Sequence, residues 1–162
     1  MNTGYISKIA AFIFVLTISI FSQTENPFVS LDNFDPQRDP STDLKLAVNF
    51  AEPNNKRIIL DVGGEWCIWC HRLDAFIQSH ERIKNLIDQN FVWVKINYSK
   101  ENKNEKFLSA YPEIPGFPHL FVLEQGGAFL HSQDTGVLEQ DKDYSEEKIL
   151  TFLNEWLPKR EK

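Results

Sequence analysis

The chain has 162 residues and a formal net charge of −6, and 42% of its residues are hydrophobic. This length favours a single domain, and an aromatic content of 13% is enough to fill a core. An acidic chain repels phosphate, and the sequence contains no stripe of lysine and arginine that would offset the repulsion. Composition and charge therefore argue against a nucleic-acid partner.

The first 22 residues predict an export signal. Lys8 precedes the apolar run 9–21, which is as long as the hydrophobic part of a signal peptide and shorter than the ~20 residues of a membrane span. Ser22 is a plausible cleavage point, and an uncleaved anchor is the alternative. We therefore expect an exported, periplasmic protein, in a compartment where disulfides form and persist.

Helices and strands alternate along the rest of the chain. Residues 23–43 contain three prolines and no apolar period, which predicts a linker or N-terminal arm before a domain at 44–158. Alternating elements indicate a largely parallel sheet with helices on both faces, closed by an antiparallel hairpin. The predicted helices are 44–51, 67–78, 81–89, 104–111 and 145–157, and the predicted strands are 57–62, 91–97, 119–124 and 128–132.

Two helix starts carry a predicted cap. Ser41, Thr42 or Asp43 can cap the first helix, and Asp143 with Glu146 has the spacing of a capping box for the last one.

Both cysteines lie in the stretch 65-EWCIWCH-71. A disulfide that closes a loop of only two residues removes little entropy from the unfolded chain, so reactivity explains the pair better than stability does. Cys67 follows a buried strand and a Gly-Gly turn and starts a helix, where free amides and the macrodipole stabilise a thiolate. Cys70 lies one turn later on the same face, within disulfide reach. This context favours a redox dithiol.

Two metal-based alternatives use the same letters. With His71, the motif C-x-x-C-H is also an attachment signal for a c-type haem. The second axial ligand would have to be His80, His119 or His131, and the mixed pattern of elements is unlike a mostly helical cytochrome. Zinc would need two more ligands, and no H-x₃₋₅-H pair is present. We therefore expect neither a metal nor a cofactor beyond the disulfide.

The segment 57-RIILDVGGEWCIWCHRL-73 resembles the active-site segment of thioredoxin-fold proteins, in particular exported bacterial ones with W-C-x-W-C. Asp61, Lys95 and the segment 115-PGFPHLFVLEQGG-127 match the buried acid, the nearby lysine and the cis-proline segment of that family. The resemblance implies a thioredoxin-like α/β fold, with a mixed sheet of four to five strands flanked by helices. The first strand of the family is not evident unless residues 27–31 supply it.

The dithiol context and the resemblance together predict a role for each residue of the inner site. Cys67 is the expected attacking thiolate, and Cys70 is the resolving thiol that attacks the mixed disulfide. Asp61 is the expected proton acceptor for the inner thiol, with Lys95 as its charge partner. His71 follows Cys67 by one helical turn, and an imidazolium there would lower the pKa of the Cys67 thiol.

Four further residues are expected to meet the substrate. Trp66 is predicted to pack beside the dithiol, and Trp69 to be largely exposed, where it could contact a partner. Pro118 is cis by resemblance, which implies that the Phe117 backbone faces the dithiol and can pair with an extended segment. Glu65 is interpreted as a solvated turn residue.

The leading hypothesis is an exported thiol–disulfide oxidoreductase that acts on protein thiols or disulfides, more as a reductase than as an oxidase or isomerase. A reductant outside the cytoplasm would need a membrane-embedded electron donor as a partner. A redox-inactive module for peptide binding or chaperoning is the alternative, followed by the haem protein.

Overall fold

A computed structural model describes residues 33–159 of the chain. The predicted signal 1–22 and the candidate strand 27–31 lie outside this range. The strands are β1 Arg57–Gly63, β2 Phe91–Asn97, β3 His119–Leu123, β4 Phe129–Asp134, β5 Glu139–Gln140 and β6 Asp143–Tyr144. The helices are α1 Pro40–Asn54, α2 Ile68–Ser79, α3 Glu81–Asn90, α4 Glu105–Leu108 and α5 Glu146–Glu155, with a 3-10 turn at Thr135–Leu138.

Within residues 33–159, the central sheet is mixed and has four strands, in the spatial order β2-β1-β3-β4. β1 pairs in parallel with β2, whereas β3 is antiparallel to both β1 and β4. The mixed sheet confirms one prediction, but the expectation of a largely parallel sheet is wrong. The connection 98–118 contains only the short α4, so the chain stays at the end of the sheet where β1 and β2 finish. β3 starts at that end and therefore runs back antiparallel to β1.

Helices cover both faces of the sheet, as predicted. Ile59 of β1 packs into a cluster with side chains of α2, α3 and α5, whereas Ile58 and Leu60 pack against Ala47 and Ala51 of α1. All seven residues of β1 are buried, which explains why its sequence is a continuous apolar run rather than an alternating one. This central strand fixes the position of the turn that follows it, which carries the cysteines.

The first helix begins at Pro40, earlier than predicted. Asp39 is its N-cap, and its carboxylate accepts hydrogen bonds from the amides of Ser41 and Thr42, both at 3.2 Å. Pro40 suits the first helical position because that position needs no amide donor. The predicted caps Ser41, Thr42 and Asp43 therefore lie inside the helix, since Asp39 already supplies the capping oxygens.

The capping box predicted for the last helix is also wrong. Asp143 lies in β6, opposite Gln140 of β5, and its Oδ1 accepts a hydrogen bond from the amide of Tyr144 at 2.9 Å. The helix has Ser145 as its N-cap and begins at Glu146. The two-stranded ribbon of β5 and β6 takes Asp143 out of the capping position.

Candidate active site

The two cysteines lie at the start of α2, directly after β1 and its glycine turn. Cys67 is the N-cap residue and Cys70 lies in the first turn, and both are buried. They form a disulfide with Cα atoms 5.3 Å apart, and the Cys67 sulfur accepts a hydrogen bond from the Cys70 amide at 3.2 Å. The positive end of the helix dipole can stabilise a Cys67 thiolate when the disulfide opens. The predicted helix-start position of the pair is confirmed.

We call Phe34, Asp61, Asp74 and Lys95 the inner side of the disulfide. Asp61, in β1, is 1% exposed, and its Oδ2 accepts a hydrogen bond from the indole of Trp93 at 3.2 Å. Burial raises the pKa of Asp61 to about 7, against the opposing effect of the Lys95 ammonium. A carboxyl with this pKa can take up and return a proton near neutral pH, which is what the predicted role of Asp61 requires.

Lys95 lies opposite Asp61 in the β1–β2 ladder, but its ammonium forms an ion pair with Asp74 of α2. Lys95 therefore acts on Asp61 through its charge, and its direct ion pair is with Asp74. Burial raises the pKa of Asp74, and the hydrogen bond from Lys95 opposes that rise. The inner side thus holds two carboxyls and one ammonium, all withdrawn from solvent.

The peptide bond between Phe117 and Pro118 is cis, as the resemblance predicted. Pro118 is buried, and its carbonyl oxygen accepts a hydrogen bond from the Thr135 hydroxyl. Phe117 is half-buried, packs against the cluster that contains both cysteines, and stacks on Tyr98 with ring centroids 4.7 Å apart. The segment around Pro118 therefore lies beside the dithiol, as the family resemblance predicted.

Of the two tryptophans beside the cysteines, Trp66 is the exposed one. Trp66 is 58% exposed, with its ring edge against Phe117 at 5.6 Å and its Nε1–H bonded to the carbonyl oxygen of Tyr98 at 2.7 Å. The expectation that Trp69 is largely exposed is wrong. Its ring packs against Tyr144 at 5.7 Å beneath the guanidinium of Arg72, because the β5–β6 ribbon covers this side of α2. We call Trp66, Tyr98 and Phe117 the outer surface.

His71 is engaged with Glu65. Its Nε2 lies 2.9 Å from the carbonyl oxygen of Glu65 and 3.7 Å from the carboxylate. Glu65 is more than a solvated turn residue, since its carboxylate also accepts a hydrogen bond from the Phe34 amide at 2.7 Å. The effect of His71 on the Cys67 thiol stays a prediction.

Comparison with known proteins agrees with this geometry. A family model described as Thioredoxin-like matches residues 39–124, more than half of the chain. The chain belongs to this family. The matched range contains the cysteines, Asp61, Asp74, Lys95 and Pro118, so the thioredoxin-like fold that the sequence predicted is confirmed.

Two solved structures share the fold. The structure of a disulphide isomerase from Xylella fastidiosa is 26% identical and has a TM-score of 0.66, covering 78% of this chain and 98% of its own. The C-terminal domain of DsbD from Neisseria meningitidis is 20% identical with a TM-score of 0.52, covering 72% and 95%, and shows likeness of fold alone. Together with the paired cysteines, the family and the Xylella structure support a thiol–disulfide oxidoreductase as the enzyme class.

Among curated proteins, spermatogenesis-associated protein 20 of Rattus norvegicus is 32% identical over 76 residues, which cover 44% of this chain and 10% of that protein. The chain spans about a tenth of the length of the curated relatives it matches.

Three residues of this thioredoxin-like site were not assigned from the sequence: Phe34, Glu65 and Asp74. Asp74 had a usable signal, because it follows Cys70 by four residues and so lies on the same helix face. Phe34 and Glu65 meet across 31 positions of the sequence, and no local pattern predicts such a contact.

The two cysteines of the C-x-x-C-H motif form the redox pair in this fold. The sulfur atoms of Cys67 and Cys70 are bonded to each other in the disulfide. Within residues 33–159, no three histidine, cysteine, aspartate or glutamate side chains are grouped as metal ligands. No helix in that range is both long and apolar enough to cross a membrane.

Proposed function

We propose that the chain is an exported thiol–disulfide oxidoreductase that acts on protein partners through Cys67 and Cys70, without a further cofactor. The observation that carries the proposal is the disulfide at the N-terminus of α2 in a thioredoxin-like fold. The similar Xylella structure is named a disulphide isomerase, which supports the same chemistry.

The proposed cycle balances two electrons and two protons. The Cys67 thiolate attacks a substrate disulfide, forms a mixed disulfide and releases one substrate sulfur as a thiolate. Cys70 loses its proton to Asp61 and attacks the Cys67 sulfur, which restores the internal disulfide and releases the second substrate sulfur. The substrate gains the two electrons and, after protonation, both protons of the dithiol. A membrane-embedded dithiol donor would then reduce the pair again.

The charges of the inner side favour the reducing direction. A pair becomes oxidising when its reduced form is stabilised, most directly by stabilising a thiolate. Here the cysteines are buried and two carboxyls lie on the inner side, which both disfavour a thiolate. The Lys95 ammonium is already paired with Asp74, so its charge is partly offset.

Partners are proposed to dock on the outer surface. A cleft of about 320 Å³ adjoins Trp66 and Tyr98, and another of about 520 Å³ adjoins Tyr98 and Phe117. The cis peptide lies at the same place, where main-chain groups can pair with an extended segment. Because Trp69 is half-buried, Trp66 is the tryptophan available for partner contact.

Export rests on the apolar segment 9–21 after Lys8, which has the length of a signal peptide's hydrophobic part. Cell fractionation of the full chain, with N-terminal sequencing of the product, tests export and cleavage near Ser22. Recovery of the unprocessed chain from the cytosol would contradict this part of the proposal.

In the first experiment, the Cys67–Cys70 pair is equilibrated with glutathione buffers of different ratios. The fluorescence of Trp66 and Trp69 reports the fraction of oxidised pair. We expect a potential nearer to about −270 mV, as in thioredoxin, than to about −120 mV, as in the strong bacterial oxidant DsbA. A value at the oxidising end would overturn the reductase direction and leave the exchange chemistry intact.

The exchange chemistry has its own test. Cys70→Ser should accumulate a mixed disulfide with a model protein disulfide such as insulin, because the resolving thiol is missing, and Cys67→Ser should not. Mass spectrometry under non-reducing conditions measures the adduct. Full function of the double Cys→Ser variant would instead support the peptide-binding module, and a Soret band in the purified protein would support the haem protein.

A further inference from the structure

Phe34 closes the inner side of the disulfide. The side chain is 1% exposed and forms one cluster with Cys67 and Cys70. The Lys95 ammonium lies over its ring, 4.1 Å from the centroid. The ring comes from the segment before α1, so an N-terminal arm, and not the thioredoxin-like sheet or its helices, supplies this wall.

Several contacts hold the arm on the active site. The Phe34 amide donates to the Glu65 carboxylate at 2.7 Å, and Glu65 is two residues before Cys67 in sequence. The Pro36 carbonyl oxygen accepts a hydrogen bond from the Asn102 side chain at 3.0 Å. Asp39 then caps α1 and fixes the far end of the arm. The arm is therefore anchored at Phe34 itself and at two points after it.

Gly63 makes the room that the ring occupies. A Cβ atom at this position would lie 2.5 Å from the Cys70 sulfur and 3.0 Å from Cζ of Phe34. Any larger residue would separate the ring from the inner thiol. The end of β1 is thus shaped to bring Phe34 and Cys70 together.

We propose that Phe34 is a positioning residue of the dithiol, whose ring keeps water away from the Cys70 thiol and from the Lys95–Asp74 ion pair. The inference rests on the proposed function, because it concerns the resolving thiol of that cycle. It gives the arm a chemical role, which the prediction of a linker at 23–43 did not include.

A dry inner side has a definite effect on the resolving thiol. Apolar surroundings raise the pKa of a thiol because they disfavour the thiolate. Cys70 is then held as a neutral thiol until a base takes its proton, and Asp61 is the buried carboxyl available for that step. Water admitted by removal of the ring would stabilise the thiolate and make the pair more oxidising.

Titratable groups on several elements also face this region and set the background against which Phe34 acts. They are Asp61 of β1, Lys95 of β2, Asp74 and His71 of α2, Tyr144 of β6, and Glu65 of the turn before α2. The test therefore changes the ring and leaves all of these groups in place.

The test uses the full chain with Cys67→Ser, which leaves Cys70 as a single free thiol. Its alkylation by iodoacetamide is measured against pH in the parent, in Phe34→Ala and in Phe34→Leu. We expect Phe34→Ala to move the midpoint to lower pH and to raise the rate at pH 7 about tenfold. Phe34→Leu, which keeps an apolar side chain over the site, should restore most of the parent profile.

The midpoint is the decisive readout, since simple loss of packing increases access at all pH values without moving it. Phe129→Ala is the matched control, because Phe129 is 43% exposed and belongs to β4, and it should not move the midpoint. A folded Phe34→Ala variant with the parent midpoint overturns the inference.

Glu65 supplies a second route if Phe34→Ala fails to fold. Glu65→Ala and Glu65→Gln remove the same charge, but only Glu65→Ala also removes the acceptor for the Phe34 amide, so its midpoint should lie below that of Glu65→Gln. Equal midpoints in the two variants overturn the inference. Alkylation requires no enzymatic turnover, so a protein that is inactive on disulfides but shows these shifts refutes the proposed function alone.

Discussion

On the outer surface Trp66 is 58% exposed, whereas on the inner side Phe34 and Asp61 are each 1% exposed. The outer surface is built from aromatic rings and open clefts, and the inner side from two carboxyls, an ammonium and a phenyl ring. Phe34 of the inner side and Phe117 of the outer surface both pack in the cluster that contains the disulfide. The difference indicates that the outer surface binds partners and that the inner side sets the pKa of the thiols. Mutations on the outer surface should therefore change KM, and mutations on the inner side should change thiol pKa or stability.

The largest expected effect comes from Asp61→Asn. The unfolded carboxyl titrates near ~4 and the folded one at about 7, so the folded chain holds a proton across that window that the unfolded chain has lost. Stability therefore falls as pH rises from about 4 to 7, by on the order of 4 kcal/mol. Asp61→Asn cannot lose a proton and should be more stable than the parent at pH 8.

Chemical denaturation of the oxidised protein at pH 5 and pH 8 measures this difference. The raised pKa of Asp74 acts in the same direction, so the variant should retain a smaller slope. Parallel stability profiles for parent and variant would show that Asp61 is not the titrating group.

The next largest effect is expected from Gly63→Ala, which crowds the inner side. The added Cβ would overlap the Cys70 sulfur, and the backbone of a central strand cannot yield easily. We expect a loss of about 1–3 kcal/mol in the free energy of unfolding. Gly116→Ala is the matched control, because its Cβ would meet no atom within 4 Å and should leave stability unchanged.

On the outer surface, Trp66→Ala should affect partner binding and spare stability. We expect KM for a model protein disulfide to rise about tenfold, as for an aromatic anchor, while the free energy of unfolding changes by less than about 0.5 kcal/mol. Trp69→Ala should lower the free energy of unfolding and leave KM nearly unchanged, because its ring packs against Tyr144. Equal loss of stability in both variants would contradict the assignment of Trp66 to partner contact rather than to packing.

The smallest effect is expected from His71→Ala, at the border between the sides. Its ring is half-exposed and bonded to Glu65, so its charge should change the Cys67 alkylation rate less than about threefold. A large fall in that rate would support the hypothesis that an imidazolium lowers the Cys67 pKa.

The sequence predicted what depends on neighbours along the chain. The continuous apolar runs predicted β1 and β2. The order of strand, glycine turn and helix predicted that Cys67 lies at a helix N-terminus. Family resemblance supplied the cis bond before Pro118, which no local pattern can indicate.

What the sequence did not predict depends on segments far apart in the chain. The Lys95–Asp74 pair joins a strand to a helix, and the position of Phe34 depends on Glu65 and Gly63. Trp69 is less exposed than predicted because the β5–β6 ribbon, only four residues in all, packs on α2. Such contacts follow from tertiary packing and leave no periodic signal.

The loop after β2 touches both sides of the disulfide. The Tyr98 carbonyl oxygen accepts a hydrogen bond from Trp66, and the Asn102 side chain donates one to Pro36 of the arm. The two segments are also tied to each other, since the Ser99 amide bonds the Asn102 carbonyl oxygen at 3.0 Å. The same loop therefore carries one contact to Trp66 and one to the arm that holds Phe34, and we expect a double-mutant cycle between Trp66 and Phe34 to show a small non-additive term.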